Sequence, residues 1–159
     1  MTTINKDYQR TRQQFGGVPF GNTASLPFNF TTNASGVLAA SDLSTAVQSG
    51  DVVRLGVIPS GAFLCDSHVI ISDAFTGSTT ASIGFQYIDG VDSTAVPQSA
   101  TYFASAMATD ATGVSRKTSA TAPVTLPKDA YLILTIGGAA HSSVGIMDII
   151  IKTVLTGSN

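Results

Sequence analysis

Gly50 to Asp73 reads GDVVRLGVIPSGAFLCDSHVIISD. Two β-branched, apolar runs flank Pro59-Ser60-Gly61, residues that favour a tight turn. The stretch is therefore read as strand, turn, strand. On the first strand Val53, Leu55 and Val57 share a face. On the second, Phe63, Cys65, Val69 and Ile71 are assigned to one face and Asp66 and His68 to the other, with Ser67 pointing away from them.

The same grammar recurs along the chain. Ser25–Thr31 alternates Leu26, Phe28 and Phe30 with polar neighbours, and Pro27 places that run at a sheet edge or a strand start. Ala81, Ile83, Phe85 and Tyr87 give the clearest alternation within Thr79–Ile88, which runs into an Asp89-Gly90 turn. Pro123 and Pro127 bound a short run at Val124–Leu126. Tyr131–Ile136 and Val144–Leu155 are the last strands. In the latter, Met147, Ile149, Ile151 and Leu155 face one way, while Asp148 and Lys152 face the other with Ile146 and Ile150. That mixed face (Ile146, Ile150, Val154) is a candidate subunit contact, with burial in the monomer core as the alternative. Asp42–Gly50 has the pattern of a short helical turn: Asp42 as cap, Leu43, Ala46 and Val47 on one face, and Gly50 as stop. Ser93–Gly113 fits two patterns. Tyr102, Phe103, Ala106 and Met107 would share a helix face, whereas Thr101, Phe103, Ser105 and Met107 would share a strand face. A long loop with a short strand is the reading adopted.

About eight strands separated by turns, without long helices between them, exclude a parallel βαβ sheet. The chain is read as all-β, an antiparallel β-sandwich of jelly-roll type. Residues 23–159 form its single domain, and residues 1–22 form an extended N-terminal arm. The arm carries Lys6, Arg10 and Arg12 against Asp7 alone, while the remainder carries five basic and nine acidic residues. It is either a frayed terminus or a segment that orders on a neighbouring subunit or an acidic surface. In the second case Lys6, Tyr8, Arg10, Arg12, Phe15 and Phe20 are the contact residues, and removing Met1–Phe20 should abolish attachment while leaving the fold intact.

Only 11% of the 159 residues are charged, against about 25% in an average globular protein. A surface so poor in charge suits partial burial in an assembly, although a plain viral or secreted β-protein has the same composition. Every acidic residue is Asp, a turn and cap former, which argues against a helical protein. The formal charge of −2 is not the footprint of a nucleic-acid binder. No apolar run approaches the length of a membrane helix, and no signal peptide is visible, so folding in a cytoplasm is expected. Cys65 has no cysteine partner and is read as a small core residue.

Motifs for chemistry are missing. There is no Gly-x-Ser-x-Gly elbow and no phosphate-binding Gly-x-x-x-x-Gly-Lys, and without Glu there is no His-Glu-x-x-His. His68 beside Asp66 is the only acid–imidazole pair, and no motif supplies a nucleophile. His141 lies in Gly137-Gly138-Ala139-Ala140-His141-Ser142-Ser143, read as a hairpin loop with a solvated imidazole. Asp89 and Asp92 are read as turn residues, because a calcium site needs more oxygens than they offer. The expectation is no catalytic residue, no metal and no cofactor.

The phrase Gly50–Gly61, with Asp73-Ala74-Phe75-Thr76-Gly77, Leu126-Pro127-Lys128-Asp129-Ala130-Tyr131 and Asp148-Ile149-Ile150-Ile151, resembles small tailed-bacteriophage virion proteins of the jelly-roll head decoration (cement) type. The resemblance spans Asp51 to Leu155. It implies a structural protein bound to the major capsid protein or neighbouring virion subunits, homo-oligomeric as a trimer or dimer, and located in the virion after synthesis in the host cytoplasm. It implies no partner in nucleic acid or membrane. A tail or neck component, and a carbohydrate- or host-surface-binding module, are the alternatives.

Overall fold

The computed structural model describes residues 2–5 and 23–155. Among the described residues ten strands make up the regular structure: β1 (Thr3–Asn5), β2 (Thr23–Thr32), β3 (Val52–Ile58), β4 (Ala62–Asp73), β5 (Thr79–Tyr87), β6 (Ser99–Ala108), β7 (Gly113–Arg116), β8 (Val124–Thr125), β9 (Ala130–Gly138) and β10 (Gly145–Leu155). They form two sheets, as a jelly-roll-like sandwich requires. One sheet runs β1-β3-β9-β5-β6; the other runs β2-β10-β4-β7, with β8 also on β4. All pairings are antiparallel except β1 with β3.

The alternation in β5 and β10 sets the core. Ala81, Ile83, Phe85 and Tyr87 are buried, as are Met147, Ile149 and Ile151. They meet Leu132 and Leu134 of β9, Phe30 of β2 and Leu64 of β4 in one apolar cluster between the sheets. Pro27 sits on β2, which among the described residues is an outermost strand paired with β10, a position that tolerates proline. The Pro59-Ser60-Gly61 turn forms as read: Gly61 has φ of 77°, which a side chain would strain, and its N–H donates to the Leu126 carbonyl at 2.8 Å.

Two strands change phase part-way along. In β3 the pairing with β9 skips Leu55, and in β4 the pairing with β10 skips Cys65. Each is a β-bulge, in which one extra residue inverts the in–out order beyond it. Val53 and Ile58 are therefore both in the core, while Val57 is only half-buried. Val69 and Ile71 face the core with Leu64, whereas Phe63 and Cys65 turn outward and are half-buried. This corrects the expected shared faces and the reading of Cys65 as a core residue.

Asp42–Gly50 is not a helical turn. The bridge Val37↔Ala46 and the hydrogen bond from Val47 N to the Gly36 carbonyl at 3.0 Å use backbone groups that a helix would need. The Asp51 carboxylate accepts from Gln48 N at 2.9 Å and from Thr2 N at 3.0 Å, fixing the segment against β1. Ser93–Gly113 contains a ten-residue strand, β6, in place of a mainly looped segment. Its alternation is hidden because Tyr102, Phe103 and Ala104 are buried consecutively and the pairing with β5 shifts register twice. Thr3–Asn5, within the arm, is strand β1, and Ile4 is fully buried. Removing Met1–Phe20 would take this core residue with it, so the arm is better probed by substitution.

Candidate interaction surface

The outward face of the second sheet carries the exposed polar chemistry of this sheet. Strict alternation along β10 turns Ile146, Asp148, Ile150, Lys152 and Val154 away from the core, where all five are half-buried. Ile146, Ile150 and Val154 therefore line an outer sheet face and not the monomer interior. The middle row runs Pro27, Ile150, His68 and Arg116 across four strands. The next row sets Asp148 between Asn29 and Ile70, and Asn29 Nδ2 donates to Asp148 Oδ1 at 2.9 Å. Val114, opposite Ile70, is 70% exposed.

On this face Asp66 and His68 project together, and Ser67 points inward and is buried. Yet Asp66 serves Arg116. Arg116 Nε donates to Asp66 Oδ2 at 3.2 Å, and its Nη2 donates to the same oxygen. That charge-assisted contact holds the Asp66 carboxyl below the usual carboxylate range. His68 Nε2 lies 3.7 Å from Asp66 Oδ2, too far for a hydrogen bond, and has no hydrogen-bond partner. Asp66 is therefore not hydrogen-bonded to the His68 ring.

His141 is not solvated. It is 2% exposed, and its ring stands edge-on to Phe30 (centroids 5.6 Å apart) and Phe75 (4.9 Å). Neither ring nitrogen has a hydrogen-bond partner. Burial without compensation pushes its pKa down to about 4, so the imidazole is neutral near pH 7. Gly36 packs on its backbone: a Cβ there would stand 2.0 Å from the His141 carbonyl oxygen. His141 is thus part of the hydrophobic plug at one end of the sandwich.

The remaining candidates resolve into structure. Asp89 receives Lys128 Nζ at 2.8 Å, and Asp92 Oδ1 accepts from Gln98 N at 2.7 Å, so both build a turn. Among the described residues no group of three or more His, Cys or Asp is placed to hold a metal. Tyr87 and Tyr102 are buried, with hydroxyls donating to the carbonyls of Val96 (2.6 Å) and Ala122 (2.8 Å). Tyr131 lies under the Arg54 guanidinium, 4.8 Å from its ring centroid. The described tyrosines therefore offer no open aromatic platform for a sugar. A shallow depression lined by Cys65, Asp66, Arg116, Lys117 and Thr121 has its charges engaged internally: Lys117 Nζ donates to the Thr121 carbonyl at 2.7 Å and sits over the Tyr102 ring. Lys6, Tyr8, Arg10, Arg12, Phe15 and Phe20 lie outside the described residues.

No known protein family matches the chain by sequence, and no curated protein does. Its fold is similar to solved chains of two phage capsids. One belongs to the capsid of Ralstonia phage GP4, with TM-score 0.68 and 15% identity, covering 98% of this chain and 99% of that one. Another belongs to the capsid asymmetric unit of cyanophage Pam1, with TM-score 0.57 and 14% identity, covering 92% of this chain and 94% of that one. At these identities the likeness is one of fold.

Proposed function

We propose that this chain is a structural protein of a bacteriophage virion, and that it decorates the assembled capsid as a cement protein bound to the major capsid protein. The observation that carries the reading is the reach of the fold match. The match takes in 98% of this chain and 99% of a chain found in a phage capsid, so the two are alike over their whole lengths. The engaged state of Asp66, the buried neutral His141 and the occupied tyrosines support a non-enzymatic role for the described surface. Stabilisation would follow from linkage: a ligand that binds the assembled shell and not its free subunits favours assembly by mass action. Repetition over a lattice lets modest contacts add up.

For the shell contact we assign the N-terminal arm: Lys6, Arg10 and Arg12 towards acidic groups, with Tyr8, Phe15 and Phe20 as anchors. The test is co-sedimentation of the purified full chain with empty expanded capsids of its own phage over a concentration series. Saturable binding at a fixed ratio to the shell protein is expected, with binding lost on joint replacement of Lys6, Arg10, Arg12, Phe15 and Phe20 by Ala and folding retained. No binding by the folded wild-type chain would refute decoration and direct attention to the tail or neck. Full binding by the substituted chain would refute the arm as the contact.

A further inference from the structure

The outward residues of β10 read Ile146, Asp148, Ile150, Lys152, Val154. The order is apolar, negative, apolar, positive, apolar, and it is self-complementary about Ile150. β10 itself is regular here: it pairs residue for residue with β2 over Gly145–Val154, the extra residues of the bulged ladder being on β4. The five side chains therefore stand in one straight row, with successive members about 6.8 Å apart at two residues per step.

We propose that this face binds a second copy of the same chain through a twofold axis lying in the interface plane, across the strands and over Ile150. Such an axis lays β10 antiparallel on its mate. Ile150 meets Ile150, Ile146 meets Val154, and Asp148 meets Lys152 twice. The other in-plane axis, along the strand, would set Asp148 on Asp148 and Lys152 on Lys152, an arrangement that like-charge repulsion disfavours. Faced sheets pack about 10 Å apart and rotated by about 30°, an offset that the long Lys152 stem can span near the axis.

The neighbouring charges leave these two groups for each other. The cross-strand neighbour of Lys152 is Asp66, but that carboxylate is held by Arg116, and Lys152 makes no ion pair among the described residues. Among the described residues Asp148 accepts from the neutral amide of Asn29 and makes no ion pair. Arg116, at the rim, arrives neutralised by Asp66. Ile70 and the exposed Val114 extend the apolar part sideways on β4 and β7. The interface is isologous, so it closes at two copies.

The inference does not depend on capsid binding, and its test needs no shell. Sedimentation equilibrium of the full chain across the micromolar range should show a monomer–dimer equilibrium. D148K and K152D should each weaken it by at least about tenfold, because either reversal creates two like-charge contacts. An equimolar mixture of D148K and K152D should dimerise again, since every contact is then between opposite charges. Ile150→Asp should also give monomers, which keeps the test open if one reversal disturbs folding; circular dichroism and melting check each variant. A wild-type chain that stays monomeric or forms a trimer would overturn the proposal. So would folded single variants that dimerise like wild type, or a mixture that stays monomeric.

Discussion

The two faces of β10 are made from one strand and do opposite work. Inward, Met147, Ile149, Ile151 and Thr153 are at most 1% exposed and close the core against β5 and β9. Outward, Ile146, Asp148, Ile150, Lys152 and Val154 are half-buried and carry charges in a fixed order. The inner face contributes to folding through apolar area removed from water. The outer face contributes little to the monomer, and its order of charges has meaning only when something lies on it.

The sharpest way to break the comparison is to truncate both faces equally. Ile149→Ala should cost about 2–5 kcal/mol of stability, because it opens a cavity in a close-packed core. Ile150→Ala should cost less than about 1 kcal/mol in the monomer, within the usual range for a partly exposed site. Denaturant unfolding of both variants at low concentration measures the difference, and equal losses would refute the division.

The next largest effect belongs to His141. Its pKa falls from the ordinary 6.5 to about 4 in the folded chain, so the unfolded chain binds more protons between these values. Stability is therefore full above about pH 6.5 and is lost as pH falls towards 4, by roughly 2–3 kcal/mol. Desolvation is the sole cause of the shift. The Asp66 and Asp89 carboxyls, held below the usual range by Arg116 and Lys128, lose their contribution in stronger acid. His141→Leu should flatten the profile between pH 6.5 and 4 in urea titrations, and an unchanged slope would contradict this assignment.

The smallest effect is expected on the outer face itself. Arg116→Ala removes the partner of Asp66, but its side chain is 71% exposed, and such pairs contribute under about 1 kcal/mol. Thermal melting should barely move. A shift as large as that of Ile149→Ala would mean that the outer face supports the fold after all.

Much of the fold was legible because its strongest strands alternate without interruption. β5 and β10 place every second residue in the core, and β2 announces its edge position through Pro27. What stayed hidden has local causes. A single extra residue at Leu55 or Cys65 inverts the faces beyond it, and nothing in composition marks that residue as extra. In β6, three consecutive buried residues erase the period of two. Asp42–Gly50 carries helix signals, but the bridge from Ala46 to Val37 overrides them. His141 looked like a loop-tip residue, and the rings that enclose it, Phe30 and Phe75, are remote in sequence. The mixed face of β10 was visible as a list of residues. That it faces outward, and that its charges are ordered about Ile150, became plain once the sheet placed Asp66 with Arg116 and left Lys152 without an ion pair among the described residues.

The most direct measurement is a cryo-electron microscopy reconstruction of the mature particle in which this chain is made. The account predicts a β-sandwich on the outer surface of the shell, repeated in a fixed ratio to the shell protein and touching it through the N-terminal arm. Density for the sandwich confined to the tail or neck, or a shell that carries none of it, would contradict the account.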